Sequence, residues 1–370
     1  MNLHLLWDEK IANRIIDTFE TVFPGKNYYI VWRYNDDAKR FVKQEGNVSI
    51  VGSQSEISIC NSEEIDKVIV HGLDIKKITF IETQISRDIP VFWILWGAEL
   101  YNALVGPHGF KLYYKNHLKS TFRSRVGSAL KRIGFKSKTD LAYLNFLASH
   151  DVTMVCAREE YDILRRYFPK ETRNLKNESS FFYYPIDAIL GKDLMDKEVD
   201  GNIILAGNSA SFTNNHDYVF KYLKDLNLRD FKIVMPLSYG GSPEYINHIN
   251  AIGKKLFGEK YIGLKDFLPL SDYNRLMLQA KVCIYGSWRQ EAVGNIIIAL
   301  YLGAKVFLPE KSPLFSIYRK RGIIIFSLEN ITEETLHTPL NAEERMNNRR
   351  ILIETNNWER LQSITHKIFG

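Results

Sequence analysis

Short apolar runs alternate with stretches of helical periodicity along almost the whole chain. In the first half, β-rich runs occur at Leu3–Leu6, Tyr28–Trp32, Val48–Val51, Val68–Val70, Val91–Leu95, Thr153–Cys156 and Phe181–Tyr184. Amphipathic segments such as Lys10–Val22 and Arg158–Phe168 lie between them. The second half is more regular. Its strand candidates are Ile203–Ala206, Lys232–Met235, Tyr261–Leu264, Val282–Tyr285, Lys305–Leu308 and Ile323–Phe326. Helical segments at Asp217–Asp225, Pro243–Phe257, Asp272–Gln279 and Ile296–Leu302 separate them. This alternation predicts an α/β protein with parallel sheets covered by helices. A polar, acid-rich stretch at 187–202 reads as a linker, and 343–370 reads as a helical tail. The predicted organisation is therefore a first Rossmann-like domain over 1–186 and a second over 203–342. Open sheets of this kind bind ligands at the carboxyl ends of their strands.

The length of 370 residues suits two domains. The amino terminus, MNLHLLWDEK, lacks the basic and apolar regions of a signal peptide. The most apolar stretch, Val91–Trp96, is too short to span a bilayer. A cytoplasmic protein is expected. Cys60, Cys156 and Cys283 are far apart and form neither a metal spacing nor a disulfide framework. Without an Asp-x-Asp triplet or a His/Cys/carboxylate cluster, no essential metal and no cofactor are expected.

The net charge of +6 is unevenly spread. Residues 100–139 contain no acid and nine bases: Lys111, Lys115, Lys119, Arg123, Arg125, Lys131, Arg132, Lys136 and Lys138. Elsewhere 40 bases face 43 acids, so the remaining chain carries −3. Leu118, Phe122, Val126 and Leu130 recur every four residues beside the basic row. Three readings fit this segment: a solvated helix, a nucleic-acid patch, or a surface helix for anionic lipid headgroups. No nucleic-acid motif accompanies it, so the anionic membrane surface is preferred and nucleic acid is not expected as a partner.

Four constellations each follow a strand candidate. His71-Gly72 follows VIV, and Trp96-Gly97-Ala98-Glu99-Leu100-Tyr101 follows VFWIL. A glycine at each strand end permits a sharp turn, leaving His71 and Glu99 as candidate acid/base groups. Gly207-Asn208-Ser209 with Asn214 and His216 follows IILA, in a loop that opens a helix. Such a helix start can hold a diphosphate, although a plain cap has the same composition. Arg289 and Gln290, with Gly294 and Asn295, follow VCIYGSW, and an arginine there can clamp phosphate. Tyr239-Gly240-Gly241 after MPLS is a further cleft candidate, and Glu310 after FLP is placed to reach a ribose hydroxyl. A nucleotide diphosphate in the second domain facing an acid/base from the first suits glycosyl transfer. A non-catalytic nucleotide-binding scaffold stays open beside it.

The segments FWILWGAELY, VHG at 70–72, LAGNSASFTNNH at 205–216, MPLSYGG at 235–241 and WRQEAVGN at 288–295 resemble one enzyme family. This is the dTDP-N-acetylfucosamine:lipid II N-acetylfucosaminyltransferases, or 4-alpha-L-fucosyltransferases. The likeness covers residues 65 to 325. Three departures stand out: the family's Asp is Glu99, its Asn-Glu-His is Asn214-Asn215-His216, and its Arg-Gln-Gln-Gly is Arg289-Gln290-Glu291-Ala292. The resemblance implies a GT-B fold, two Rossmann-like domains facing a central cleft. It also implies an inverting, metal-independent bacterial enzyme, peripheral on the inner membrane. Such an enzyme moves a deoxyamino sugar from a dTDP carrier to a polyprenyl-diphosphate-linked glycan. Glu99 or His71 would be the base, the second-domain loops would hold the donor, and Lys111, Lys115, Lys119, Arg123 and Arg125 would face the acceptor and membrane. A related enzyme using a UDP- or GDP-sugar for capsule or O-antigen assembly is the alternative.

Overall fold

A computed structural model describes residues 1–33, 41–43, 46–52, 64–115 and 136–370. The described residues form two compact units. The first contains a seven-stranded, wholly parallel sheet. Its strands are β1 (Asn2–Trp7), β2 (Asn27–Trp32), β3 (Val48–Val51), β4 (Lys67–His71), β5 (Val91–Ile94), β6 (Val152–Val155) and β7 (Lys176–Glu178), in the order β3-β2-β1-β4-β5-β6-β7. The second contains a six-stranded parallel sheet. Its strands are β8 (Ile203–Ala206), β9 (Lys232–Pro236), β10 (Tyr261–Leu264), β11 (Ala280–Ile284), β12 (Lys305–Leu308) and β13 (Phe326–Ser327), in the order β10-β9-β8-β11-β12-β13. Strand order reverses between β1 and β4 in one sheet and between β8 and β11 in the other. Those switch points are where crevices open at strand carboxyl ends.

Helices cover both sheets. In the first unit, Ala12–Val22 packs Ile15 and Phe19 onto β1 and β2, and the last helix, Trp358–Phe369, packs against it. Leu361, Ile364, Ile368 and Phe369 thereby join the first core. Each such buried side chain contributes about 1.5–3 kcal/mol. The second core is built on Ile204, Ala206, Ile233, Met235, Ile284, Trp288 and Phe307. Tyr114 packs against it from a short strap, described over 111–115, that belongs to the second unit.

The boundaries differ from those read in the sequence. Residues 358–370 belong to the first unit, and 111–115 to the second. The 187–202 stretch is not open linker: Ile186–Leu190 is a helix, followed by a 3-10 turn at Lys192–Leu194. Two predicted strands also fail in physically informative ways. Phe181–Tyr184 carries no ladder; its aromatic rings pack on the first core instead. The edge strand is the polar Lys176–Glu178, as suits a strand with one solvated side. At Ile323–Phe326 the Asn348 amide takes both the N–H and the C=O of Ile324, which ends pairing there and confines β13 to two residues.

Candidate active site

In the first unit, β1, β4 and β5 end around a cavity of about 670 Å³, lined by Trp7, His71, Asp74, Lys77, Trp96 and Glu99 among others. Gly72 adopts φ +70, and a Cβ there would lie 3.1 Å from the Trp96 ring. Only glycine lets the chain leave β4 with the indole lying against it. Gly97, at φ +100, makes the corresponding turn after β5. The chain then enters a wide π-type turn, Glu99–Val105, which starts on Glu99.

Glu99 is buried, yet it lines this cavity. The Trp96 N–H and the Trp93 indole N–H both donate to its Oε1, at 2.8 and 3.1 Å. Among the described residues no side chain donates to Oε2, the oxygen left for a substrate hydroxyl. Burial pushes the carboxyl above the usual range; those N–H groups and the Lys77 charge pull it back. Lys77 is fully buried. Its ammonium donates to the carbonyls of His71 and Gly72 at 2.7 and 2.6 Å and pairs with Asp74 at 3.4 Å. Asp74 caps the helix Ile75–Gln84 and accepts from the Trp7 indole at 2.7 Å. A fixed cation thus stands beside a desolvated carboxylate, an arrangement suited to a general base.

His71 is placed differently. It is wholly buried, with Nε2 3.1 Å from His4 Nδ1 and Nδ1 2.9 Å from the Tyr183 hydroxyl. Burial, then His4 and Lys77, hold it well below the usual imidazole range. Both ring nitrogens are engaged, so of the two candidate bases Glu99 alone has an oxygen left over. Glu160 is a second buried carboxyl in this unit. It accepts from the Tyr101 hydroxyl at 3.1 Å and is raised to about 8, chiefly by burial and further by Glu99.

In the second unit, Gly207 leaves β8 at φ +77, where a Cβ would meet Asn214 Oδ1 at 3.1 Å and His216 Nε2 at 3.3 Å. Asn214 ties the loop together: its Oδ1 accepts from the Asn208 N–H and its Nδ2 donates to Ser209 Oγ. His216 Nδ1 lies 2.8 Å from the Tyr245 hydroxyl at the start of helix His216–Leu223. The Tyr239-Gly240-Gly241 loop stacks on this one: Ala210 N–H donates to the Tyr239 carbonyl, and a Cβ on Gly241 would lie 2.4 Å from the Ala210 carbonyl oxygen. The structure therefore brings Gly207, Asn208, Ser209, Asn214, His216 and Tyr239 into one layer at the switch point.

Arg289 follows β11, on the other side of the reversal. Its Nε pairs with Glu291 at 3.3 Å, and Ser287 donates to the same carboxylate at 3.0 Å. Ala292 precedes helix Val293–Tyr301 at φ +60, a left-handed position where the resembling family has glycine. Gly294 has open space around it, Gln290 is half-buried, and Asn295 donates to the Tyr273 hydroxyl at 3.2 Å. Glu310 stands apart, on a groove of about 480 Å³ with Arg319, Ser327 and Asn330, and accepts from Asn330 at 3.2 Å. Asn215, which the sequence marks only as a departure from the family's Asn-Glu-His, fixes the strap. Its amide donates to the Leu112 and Gly286 carbonyls, each at 3.1 Å, and accepts from the Tyr114 N–H at 2.8 Å. Lys111 lies 5.3 Å from the Trp288 ring centre and Lys115 3.4 Å from Asp217. Lys119, Arg123 and Arg125 lie outside the described residues.

Sequence reasoning missed Lys77 and Trp93, and marked Glu291 only as a departure from the family's Arg-Gln-Gln-Gly. The only available signal for Lys77 was the Asp74-x-x-Lys77 spacing after a strand, which usually marks an exposed pair.

Comparison with known proteins fits this layout. The model of the 4-alpha-L-fucosyltransferase family, glycosyl transferase group 56, matches residues 53–358. Among solved structures, the sucrose-phosphate synthase of Thermosynechococcus elongatus superposes with a TM-score of 0.65 at 12% identity, over 100% of this chain and 98% of that one. A glycosyltransferase from Rickettsia africae gives 0.61 at 13% identity, over 99% and 97%. The Anabaena protein HepE, solved with UDP and glucose, gives 0.57 at 11% identity, over 100% and 99%. These likenesses establish the GT-B fold class. The family match goes further: this chain belongs to the 4-alpha-L-fucosyltransferases of glycosyl transferase group 56 and is a glycosyltransferase.

Proposed function

We propose that the protein is an inverting, metal-independent transferase. It moves a deoxyamino sugar of the 4-acetamido-fucose type from a dTDP carrier to a polyprenyl-diphosphate-linked glycan. It acts on the cytoplasmic face of the bacterial inner membrane, in surface polysaccharide synthesis. The observation that carries the reaction type is Glu99, a buried carboxylate with one oxygen held by two N–H groups and a cation beside it. Glu99 takes the proton of the acceptor hydroxyl as that oxygen bonds to the anomeric carbon. The bond from that carbon to the diphosphate breaks on the opposite side, which inverts the centre. The departing diphosphate gathers negative charge. Arg289 and the N–H groups of the Gly207–Ser209 loop and of the start of helix Val293–Tyr301, at Gly294, stabilise that charge, the task a metal performs elsewhere.

The test joins binding to turnover. Glu99→Gln should lower turnover by about 10²–10⁴ while dTDP still binds. Near-normal turnover with both substrates saturating would remove Glu99 from this role. A thermal-shift panel of dTDP, UDP and GDP tests the base: at large excess the matching nucleotide should stabilise the protein by roughly 3 kcal/mol.

A further inference from the structure

Five residues of the first unit form one hydrogen-bonded chain, buried except at its half-buried Trp96 end, and the proton positions along it follow from its far end. Asn27 Nδ2 faces the carbonyls of Phe19 and Phe23, so it must be the amide nitrogen. Its Oδ1 accepts from Asn2 Nδ2 at 3.0 Å and faces His4 Nε2 at 3.2 Å. His4 Nε2 therefore carries a hydrogen. Burial holds His4 down to about 3, so the ring is neutral and its Nδ1 is a bare acceptor. The nitrogen facing that acceptor, His71 Nε2, must donate. His71 is neutral too, so its Nδ1 accepts, and the hydrogen in that contact belongs to Tyr183. The Tyr183 oxygen in turn accepts from the Trp96 indole N–H at 3.0 Å. Every hydrogen points inward, from Trp96 through Tyr183, His71 and His4 to Asn27.

We propose that His71 is a positioning residue, locked as the Nε2–H tautomer, that acts through Tyr183 to fix the Trp96 indole and with it the Glu99 carboxylate. The inference rests on Glu99 being the base. The Trp96 ring is held on two sides, by the Tyr183 oxygen and by the backbone at Gly72. The same residue's backbone N–H grips Glu99 Oε1. A slack indole lets that N–H drift, and small misplacements of a reacting group cost on the order of 10- to 100-fold in rate. A neutral chain of this kind strengthens along its length, so breaking one link loosens the whole.

The first arm of the test needs no substrate. Long-range proton–nitrogen NMR of imidazole-labelled protein should show His71 protonated at Nε2, bare at Nδ1, and not titrating near neutral pH. A hydrogen on Nδ1, or titration of His71 in that range, overturns the assignment whatever reaction the protein catalyses. The second arm measures dTDP release from dTDP-4-acetamido-fucose with a polyprenyl-diphosphate-linked saccharide. His71→Asn keeps an acceptor for Tyr183, whereas His71→Leu and Tyr183→Phe each remove that bond. Asn should retain most of kcat, and the other two should lose about 10- to 100-fold with donor KM unchanged. The acid limb of the pH profile should stay in place in all three. If Asn is as dead as Leu in a folded protein, or the acid limb disappears in either His71 variant, His71 is itself the proton acceptor and the proposal fails. If wild-type protein releases no dTDP, the donor reading fails while the NMR arm still decides the tautomer.

Discussion

Replacing Glu160 by Gln should make the protein more stable, increasingly so as pH rises. Glu160 is 1% exposed and its carboxyl is raised from 4.5 to about 8. A raised carboxyl costs nothing below its unfolded value, where both states are protonated. From there the unfolded chain loses its proton first, so folding is penalised progressively until the folded group also ionises. The window is thus about 4.5 to 8. Each pH unit in it costs about 1.4 kcal/mol, giving about 3 kcal/mol at pH 7 and about 5 kcal/mol above pH 8. Gln is isosteric, keeps an oxygen for the Tyr101 hydroxyl and carries no proton to lose. Urea-unfolding midpoints of wild type and variant at pH of about 4, 7 and 9 read the difference directly. The two should coincide in acid and separate toward alkaline pH. A difference that does not change with pH would refute the reasoning, because it would mean that Glu160 ionises as readily folded as unfolded. The same carboxyl bears on the site: while it holds its proton at neutral pH, it adds no negative charge to those already near Glu99.

Lys77→Met should move the acid limb of kcat/KM upward, since the Lys77 charge adds to the N–H groups that draw the buried Glu99 carboxyl down; a limb that stays put would separate Lys77 from the base. If Arg289 clamps the diphosphate as proposed, Glu291→Gln should tighten dTDP binding severalfold, on the order of 1 kcal/mol by calorimetry, because Glu291 occupies the Arg289 Nε and adds a negative charge beside it. Unchanged or weaker binding would show that Arg289 does not meet the diphosphate.

Much of the fold was legible in the chain. Ile203–Ala206, Tyr261–Leu264, Lys305–Leu308 and Pro243–Phe257 end where their patterns end, because each is bounded by Gly, Pro or a polar cap. The failures have one cause in common: an apolar run states that side chains are buried, not that the backbone is paired. Phe181–Tyr184 buries its rings and gives a hydroxyl to His71, while the ladder goes to Lys176–Glu178. At the candidate site, Glu99 and the Gly207–Ser209 loop stand out in the chain because turns and strand ends mark them. Lys77 could not, because burial reverses the meaning of a helical lysine: the same residue in water would be a solvated charge. His71 shows the opposite limit. Its position after a strand was visible, but its role depends on Tyr183 and His4, which are distant in sequence.

The basic segment is where counting charges and pairing them part company. Nine bases without an acid make a strong polyanion signal in the chain. In the structure Lys136 is paired with Glu171, Lys115 with Asp217, and Lys111 lies over Trp288. The strap bearing Lys111 and Lys115 is moreover anchored by two hydrogen bonds of Asn215, whose amide is itself tied to the Gly286 carbonyl. Its position is set by protein contacts, whatever surface the chain meets. An anionic bilayer rewards clustered lysines and arginines by about 1 kcal/mol each only where they can approach the headgroups. That leaves Lys138, which is exposed, and Lys119, Arg123, Arg125, Lys131 and Arg132, which lie outside the described residues and are interleaved in the sequence with Leu118, Phe122, Val126 and Leu130, as the six bases on which the proposed membrane contact depends. If the proposed membrane contact holds, neutralising these six should abolish flotation with anionic liposomes at low salt. Neutralising Lys111 and Lys115 alone should leave flotation nearly unchanged. If the strap pair proves decisive and the six do not matter, the strap is the docking face and its contacts with Asn215, Asp217 and Trp288 give way on binding.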